Sequence, residues 1–549
     1  MSRDSPSPSS TPDGARSGAT MSPGRQALLA KLLAKKGIQK KPTANMEARE
    51  PGAATPLSFG QEALWFLEQL EPERATHNQP SAVRLSGVLN SEALERALGE
   101  IVNRHEPLRT SFKTQDGKPF QDIAPVYEFK LKLIDLSERA PADAESEALR
   151  LATEEAHVGF DLEQGPLFRA ILIRVETEEH VLTLNSHHII TDGWSMGVFT
   201  RELQELYVAY AKGEQSPLDP LPVQLADFAI WQRQNLQGDV LKEHIEYWKT
   251  QLSGELTNLD FPTDHPRPSV QSFRGGHHTV LLTEELSNQL RKLSRSSGVT
   301  PFATLNAAFL VTLYHTCRKT DVIIGSAVAH RNREELEGMI AFLVNMLVMR
   351  TDLSGNPGFG ELQRRVQKST LGAWAHQDLP LSHILREVAP DRDLSRNPLF
   401  QVQFSLLTPD HNPAVYGYGL SSGNIEKVAL GDLAMTPVDV HYDNARYDIA
   451  AFLWDMPQGI QGTIEYSSDL FNPETIANLV ERFQSVLTSI VKQPEARLDT
   501  LVAELDQLEM ARKAETQKAF KKSMNKGLKS IKRRKSSASS AEQSEKPKS

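Results

Sequence analysis

Two adjacent histidines open a seven-residue run, His-His-Ile-Ile-Thr-Asp-Gly at residues 187–193, whose residue types could carry acid–base chemistry. An imidazole exchanges its proton near neutral pH, so a histidine beside a nucleophile can act as a general base. An apolar segment at 181–184 precedes the run and predicts a buried strand, and residues 200–212 behind it predict a helix. The histidines are therefore expected at a strand end, on a tight turn closed by Asp192 and Gly193.

Successive residues of a strand point to opposite faces, so at most one of the two histidines can face a cleft. Asp192 is interpreted as an orienting ion-pair partner rather than a second base. A second pair, His277 and His278, follows Arg-Gly-Gly and has no Asp-Gly behind it. This second pair is predicted to be structural.

The length of 549 residues, with 39% hydrophobic and 24% charged residues, suits a globular protein of two or more lobes. The single cysteine, Cys317, excludes an internal disulfide framework and a cysteine-clustered zinc site, and it is predicted to fill core space. No metal site is predicted. The chain has no run of 18 apolar residues and no basic-then-apolar signal pattern, so we expect a cytoplasmic protein without a membrane segment.

The net charge of −9 is distributed unevenly along the chain. Residues 511–549 contain 13 Lys and Arg against 3 Asp and Glu, a charge of +10, which leaves −19 for the remainder. An acidic body repels phosphates, so nucleic acid is not an expected partner.

Four regions are predicted along the chain. Residues 1–50 are expected to be a disordered N-terminus carrying a short basic amphipathic helix, Arg25 to Lys36, that docks on the body or on a partner protein. Residues 51–240 form the first lobe with the His-His run, and residues 241–510 form the second lobe. Residues 511–549 form a basic, disordered tail.

Periodicity and turn residues also predict individual elements. In the first lobe we expect a strand at 82–88, a helix at 91–104 capped by Asn90 or Ser91, and a hairpin at 108–123. In the second lobe we expect strands at 279–282, 321–326 and 462–466, and helices at 284–296, 301–316, 473–491 and 498–508.

Seven motifs, taken together and in order, resemble those of the condensation domains of nonribosomal peptide synthetases. They lie at 57–67, 104–112, 187–193, 227–231, 337–345, 376–380 and 392–400. The resemblance runs from about Leu57 to about Leu508. Two positions depart from the family pattern: His330 stands where the family has glycine in its Ala-Gly-Arg segment, and Ala341 stands where it has another glycine.

The resemblance implies an α/β (α+β) fold of two chloramphenicol-acetyltransferase-like lobes that form a V with a central substrate tunnel. It assigns His188 the catalytic role, as general base or amine-positioning group, with Gly193 and Asn345 close to the reacting atoms. It also implies that His187 is structural, and that Asp192 forms a structural ion pair. We expect Arg331 to be the partner of Asp192, because a buried carboxylate needs one.

The reaction that the resemblance implies transfers an acyl, aminoacyl or peptidyl group to an amine and forms an amide. The substrates are carried as thioesters on the 4'-phosphopantetheine of partner carrier proteins, donor and acceptor, on other synthetase chains, and no cofactor is bound. The donor is already activated, and no phosphate-binding loop sequence is present. We expect a monomer that holds no carrier domain of its own.

Three other functions compete with amide formation. Epimerisation domains share the His-His motif but invert a carrier-bound aminoacyl group, and the opening and 392–400 motifs favour condensation instead. A non-catalytic recruitment domain of the same fold usually loses the first histidine, which this chain retains. Ester formation stays open, because the sequence does not specify the acceptor. Heterocyclisation domains carry an aspartate pair and are excluded by His187 and His188.

Overall fold

The computed structural model describes residues 45–50, 52–70, 75–388, 393–407, 428–440, 442, 444–515 and 517–518. The predicted helix Arg25 to Lys36, nearly all of the basic tail and Arg392 lie outside these residues. The predictions for these residues are not tested below, whereas residues 511–515 at the start of the predicted tail continue the last helix and are not disordered.

The strands lie in two large sheets and one hairpin. They are β1 (Asn78–Ser86), β2 (Thr110–Gln115), β3 (Lys118–Ile123), β4 (Lys132–Asp135), β5 (Phe168–Glu176), β6 (Glu179–His187), β7 (Gly275–Leu281), β8 (Asp321–Val328), β9 (Asn345–Asp352), β10 (Val402–Leu407), β11 (Val428–Leu430), β12 (Leu433–Val438), β13 (Ile449–Met456) and β14 (Gly459–Ser467). The first sheet has the order β11-β12-β1-β6-β5-β4 and the second β7-β14-β13-β10-β8-β9, while β2 and β3 pair alone.

Helices cover both sheets. They are α1 (Phe59–Leu70), α2 (Ser91–Arg104), α3 (Pro141–Ala156), α4 (Gly193–Ala211), α5 (Leu225–Asn235), α6 (Gly238–Gln251), α7 (Glu284–Ser297), α8 (Pro301–Cys317), α9 (Glu334–Glu337), α10 (Phe359–Ala375), α11 (Leu381–Val388), α12 (Pro473–Lys492) and a last helix, α13, at 498–515. The predicted cap of α2 is confirmed, since Asn90 Oδ1 accepts the Ala93 amide at 3.0 Å.

Strand β6, which leads to the His-His turn, is buried on both faces. On one face Leu182 packs in a core with Leu94 of α2 and Val198 of α4. On the other face Val181 packs with Ala148 of α3. Burial on both sides explains the continuous apolar run in this strand, and it holds the strand end rigidly.

Strand β1 begins earlier than the sequence predicts. It covers Asn78–Ser86 rather than 82–88, because it pairs with β6 along its whole length, from Asn78 opposite His187 to Ser86 opposite Glu179. The polar start of β1 gives no apolar alternation, and only the pairing makes it a strand. Its first residue therefore lies beside the functional turn.

The first sheet is completed by strands from the second half of the chain. β12 pairs antiparallel with β1, from Ala82 opposite Val438 to Ser86 opposite Ala434, and β11 extends the edge. The second sheet has its own core, in which Phe309 of α8, Phe404 of β10 and Phe483 of α12 pack together. The predicted two-lobe α/β fold is confirmed, whereas the boundary at 240/241 stays a prediction.

One further property concerns helix length and polarity. Within the described ranges no single helix is long and apolar enough to cross a membrane; α7 and α8 pass that test only as a pair, and they meet at a bend of 105°.

Candidate active site

The two histidines lie where β6 meets the turn before α4. His187 is the last residue of β6, and its carbonyl accepts the Ile190 amide at 3.1 Å. The His188 amide donates to the carbonyl of His77, the residue before β1, at 2.8 Å. The neighbouring strand therefore fixes the backbone of the turn next to the candidate catalytic ring.

His188 presents one ring nitrogen for chemistry. The residue His188 is partly exposed, whereas His187 is only 1% exposed. Nδ1 of His188 lies 2.7 Å from the Thr191 carbonyl, so in the neutral ring this nitrogen carries the proton. Nε2 is then a lone-pair acceptor, and no hydrogen-bond partner for it occurs among the described residues. The ring of Phe342 packs edge-on against the imidazole, with 5.0 Å between centroids.

The surroundings keep this imidazole uncharged. Burial, followed by the positive charge of Arg446, lowers the pKa of His188 to about 3. Desolvation penalises the charged form, and a nearby cation penalises it further. At neutral pH the ring can therefore accept a hydrogen bond from a bound donor group, but it holds a full proton only weakly.

Asp192 is fully committed to structural contacts. Its Oδ1 accepts the Ser195 amide at 3.0 Å and the Ser195 hydroxyl at 2.8 Å, which caps α4. Its Oδ2 accepts the amides of Leu343 at 3.0 Å and Val344 at 3.2 Å. Burial alone would raise the pKa of Asp192, but the guanidinium of Arg331 holds it below its usual value. The carboxylate is ionised and is not available as a base.

Arg331 joins the two lobes at this point. Its Nη1 lies 2.7 Å from Asp192 Oδ2 and its Nη2 lies 3.0 Å from Oδ1, a bidentate pair with 1% and 2% of the side chains exposed. Nη2 also donates to the carbonyl of Ala341 at 3.1 Å, and the Ala341 amide donates to the Ser195 hydroxyl oxygen at 3.1 Å. The Trp194 indole donates to the Glu337 carbonyl at 2.8 Å. The segment 337–344 is thereby fixed against the start of α4, beside His188.

A sequence model of the condensation domain matches residues 53–511 of the chain. The chain belongs to the condensation domain family. The match includes both large sheets and the His-His turn, so the family assignment covers the same region as the site described above.

Several curated proteins are similar to this condensation domain. One of the linear gramicidin synthase proteins from Brevibacillus parabrevis is 44% identical over 439 residues, and malpinin synthetase from Mortierella alpina is 42% identical over 449 residues. These matches cover 80% and 81% of this chain but only 6% of each relative. The phosphinothricin tripeptide synthetase PhsC of Streptomyces viridochromogenes is 37% identical over 81% of this chain and 40% of its own length.

Solved structures share the two-lobe fold. The X-domain from teicoplanin biosynthesis is 28% identical with a TM-score of 0.74, over 83% of this chain and 99% of that structure. The first condensation domain of the calcium-dependent antibiotic synthetase has a TM-score of 0.65 over 82% and 99%, and at 20% identity it supports the fold alone.

The other two residues predicted to be catalytic lie in different settings. Gly193 is exposed at the first position of α4, directly after Asp192. Asn345 uses its side-chain amide to donate to the carbonyls of Gln377 at 2.7 Å and Leu379 at 2.9 Å. Its Oδ1 accepts the amide of Met346 at 2.9 Å. These contacts hold the loop before α11, and the role of Asn345 beside the reacting atoms stays a prediction.

The departure from the family pattern at His330 has a backbone cost. His330 has φ of +54°, a left-handed conformation that glycine adopts more easily than other residues. Its Nε2 lies 2.8 Å from Asp378 Oδ1, and its ring packs against Phe228. These contacts hold the strained backbone in place next to Arg331. Ala341, the second departure, is fully buried in a core with Leu336 and Met339.

Other motif residues make structural contacts. Arg104 Nε donates to Glu202 at 3.0 Å, and Arg109 donates to the Asn103 carbonyl at 3.2 Å.

The single cysteine is not set up as a nucleophile. Burial raises the pKa of the Cys317 thiol to about 12, so at neutral pH the thiol is protonated and a poor nucleophile.

Three residues of the site were missed by the sequence analysis. Ser195 had a usable signal, because Asp-x-x-Ser matches the spacing of a reciprocal capping pair at a helix start. Phe342 lies in a recognised motif, but nothing in its spacing indicates contact with His188. Arg446 lies 258 positions after His188 in the sequence and reaches it only through the fold.

Proposed function

We propose that this chain is a condensation enzyme of nonribosomal peptide synthesis. It transfers an acyl, aminoacyl or peptidyl group from a carrier-bound phosphopantetheine thioester to an amine and forms an amide. The observation that carries the proposal is Nε2 of His188, which has no hydrogen-bond partner among the residues that the structure describes, on a fixed strand-end turn where segment 337–344 of the second lobe closes on the first.

The proposed step begins with a neutral amine. Its nitrogen attacks the thioester carbonyl carbon, a C–N bond forms, and the carbonyl oxygen becomes an oxyanion. Collapse of this intermediate breaks the C–S bond and expels the pantetheine thiolate, which takes up the proton that the nitrogen loses. His188 Nε2 accepts a hydrogen bond from the attacking N–H and directs the nitrogen lone pair at the carbonyl.

The low pKa of His188 favours orientation over full proton abstraction. A ring with a pKa of about 3 does not stay protonated at neutral pH, but its lone pair can still orient the amine through a hydrogen bond. The same pKa keeps the ring from becoming a cation, which would repel an incoming ammonium group. The function we assign to His188 is therefore that of an amine-positioning residue with transient base character.

The oxyanion needs donors, and the start of α4 can offer them. Helix amides of the first turn lack intrahelical partners, and the positive end of the helix dipole lies there. Asp192 Oδ1 accepts a hydrogen bond from the Ser195 amide. Gly193 is exposed at the first position of this 19-residue helix. We assign Gly193 the role of letting the thioester carbonyl approach these amides closely.

The proposed partners are carrier proteins on other synthetase chains. Such carriers would present both substrates as phosphopantetheine thioesters to a monomeric enzyme that binds no cofactor of its own. The chain spans 6% of the gramicidin synthase protein that it matches, so these partners are inferred from the domain and not from the whole relative.

The proposal is tested by mass spectrometry of products. An acyl-loaded carrier is mixed with the protein and with an aminoacyl-loaded carrier, and in parallel with a hydroxyacyl-loaded carrier. We expect an amide-linked product on the acceptor carrier. An ester product alone would correct the acceptor class, inversion of the aminoacyl group would establish epimerisation, and an unaltered mixture would contradict enzymatic function.

A further inference from the structure

We propose that Glu68 is a positioning residue that fixes the tautomer of His187 and thereby the turn that carries His188. The proposal rests on the proposed function only where it predicts a change in rate. Its structural content is the juxtaposition of Glu68, His77 and His187, three buried or half-buried groups that the proposed reaction does not use directly.

Glu68 lies on α1 and is 6% exposed. Its Oε1 lies 2.5 Å from Nδ1 of His77 and 3.2 Å from Nε2 of His187. Burial would raise the pKa of Glu68, but the contacts with His187 and His77 lower it to about 2. One ionised carboxylate oxygen therefore contacts two imidazoles: it is hydrogen-bonded to His77 Nδ1, whereas its contact with His187 Nε2 is electrostatic and not aligned as a hydrogen bond.

The tautomer of His187 follows from its other nitrogen. Nδ1 accepts the amide of Ile189 at 3.1 Å, so it must hold a lone pair. In a neutral ring the proton is then on Nε2, the atom that faces Glu68. A carboxylate at that place stabilises this tautomer, and this tautomer keeps the Ile189 amide bonded inside the turn.

His77 provides a second connection to the same turn. Its ring contacts Glu68, and its carbonyl accepts the His188 amide at 2.8 Å. The segment before it is held from the second half of the chain, since the Asn444 side chain donates to the Thr76 carbonyl at 2.6 Å. Glu68 thus supports the turn from both sides of His188.

The same three residues could also be taken for a metal site. Their ligand atoms all lie within 4.8 Å of one another. A metal on His187 Nε2 would need the ring proton on Nδ1, where it would point at the Ile189 N–H. The hydrogen bond from the Ile189 amide to Nδ1 therefore favours a protonated Nε2 facing the Glu68 carboxylate over a metal ion.

The experiment compares wild type, Glu68→Gln and Asp506→Asn in amide hydrogen exchange and in acyl transfer. Asp506→Asn is the matched control, because Asp506 contacts the buried His315 at 2.9 Å in the other lobe. Glutamine keeps an acceptor oxygen at the Oε1 position but loses the negative charge that faces both imidazoles, so it stabilises the two ring protons less. We expect exchange at Ile189 to rise about 10-fold or more, and kcat to fall about 10- to 100-fold with KM for the acyl carrier unchanged.

Glu68→Asp, which retains the charge on a shorter side chain, should lie between wild type and Glu68→Gln. Unchanged exchange at Ile189 in Glu68→Gln, or an equal rise in Asp506→Asn, would overturn the proposal. If Glu68→Gln does not fold, ¹⁵N shifts of the wild-type His187 ring decide instead: the proposal requires protonated Nε2 and unprotonated Nδ1.

Two further results separate this proposal from other accounts. Stoichiometric Zn²⁺ binding to wild type that Glu68→Gln abolishes would replace it with a metal site. A wild-type protein without acyl transfer, but with the expected exchange and tautomer, would refute the proposed function and retain the positioning network.

Discussion

The chain contains two His-His pairs, and their different settings show what makes such a pair suitable for chemistry. His187 and His188 lie at the end of a strand buried on both faces, and a turn follows them. His277 and His278 lie inside β7, where they pair with Glu465 and Ile464 of β14, and His277 is exposed. A strand end leaves one ring free while the backbone is fixed, whereas a strand interior offers no such turn.

The first way to sharpen this comparison is to remove Asp192, the aspartate that follows the first pair and has no counterpart behind the second. Asp192→Ala would leave Arg331 buried and without its bidentate partner. We expect the free energy of unfolding to fall by about 3–5 kcal/mol, the usual cost of breaking a buried ion pair. Denaturant unfolding measures the change, and His188→Ala serves as the control that should lose much less. Equal midpoints for wild type and Asp192→Ala would contradict the role of this ion pair.

The second test compares the first histidine of each pair. His187→Ala removes a buried ring that contacts Glu68 and the Ile189 amide, and it leaves the Glu68 carboxylate with one partner fewer. We expect a loss of about 1–3 kcal/mol in the free energy of unfolding. His277→Ala on the exposed side of β7 should stay within about 0.5 kcal/mol of wild type. Similar losses for the two variants would remove the distinction that we draw between the pairs.

A smaller effect is expected on the free energy of unfolding when the pH is lowered. Because the pKa of His188 is lowered to about 3, the unfolded chain binds a proton below pH of about 6.5 that the folded site does not bind. Stability from this group is therefore present above the unfolded pKa and is lost as pH falls below it. Between pH 6.5 and 5.5 we expect wild type to lose about 1 kcal/mol more than His188→Ala in denaturant unfolding. Parallel pH curves would show that His188 is not held neutral by the fold.

The smallest effect is expected from the termini. A chain trimmed to residues 50–512 lacks the two basic segments, which would attract a negatively charged carrier that the acidic body repels. We expect a higher KM for a carrier-bound substrate, a weaker dependence on salt and an unchanged single-turnover rate at saturation. Unchanged KM and unchanged salt dependence would mean that these segments take no part in carrier binding.

Local sequence was sufficient for the elements that follow from periodicity and capping. The buried strand before His187, the cap at Asn90 and the turn before α4 were predicted because neighbouring residues determine them. The pairing of Asp192 with Arg331 was expected from charge and burial together with the family resemblance.

The remaining features depend on contacts between distant segments. β12 joins β1 from more than 300 positions away, and no local pattern encodes which edge it takes. The same holds for Arg446, which lowers the pKa of His188, and for Glu68, which faces His187 from α1. Asn345 was expected beside the reacting atoms from its motif, yet its amide is used by the loop before α11.

The most direct test of the account is single-turnover acyl transfer from a loaded carrier to an amine acceptor, measured for wild type, His188→Ala and His278→Ala. His188→Ala should fold and transfer at least about 100-fold more slowly, which is the usual scale for losing a positioned acid–base group. His278→Ala should retain the wild-type rate. Transfer by His188→Ala at the wild-type rate would contradict the central claim that the free nitrogen of His188 serves the reaction.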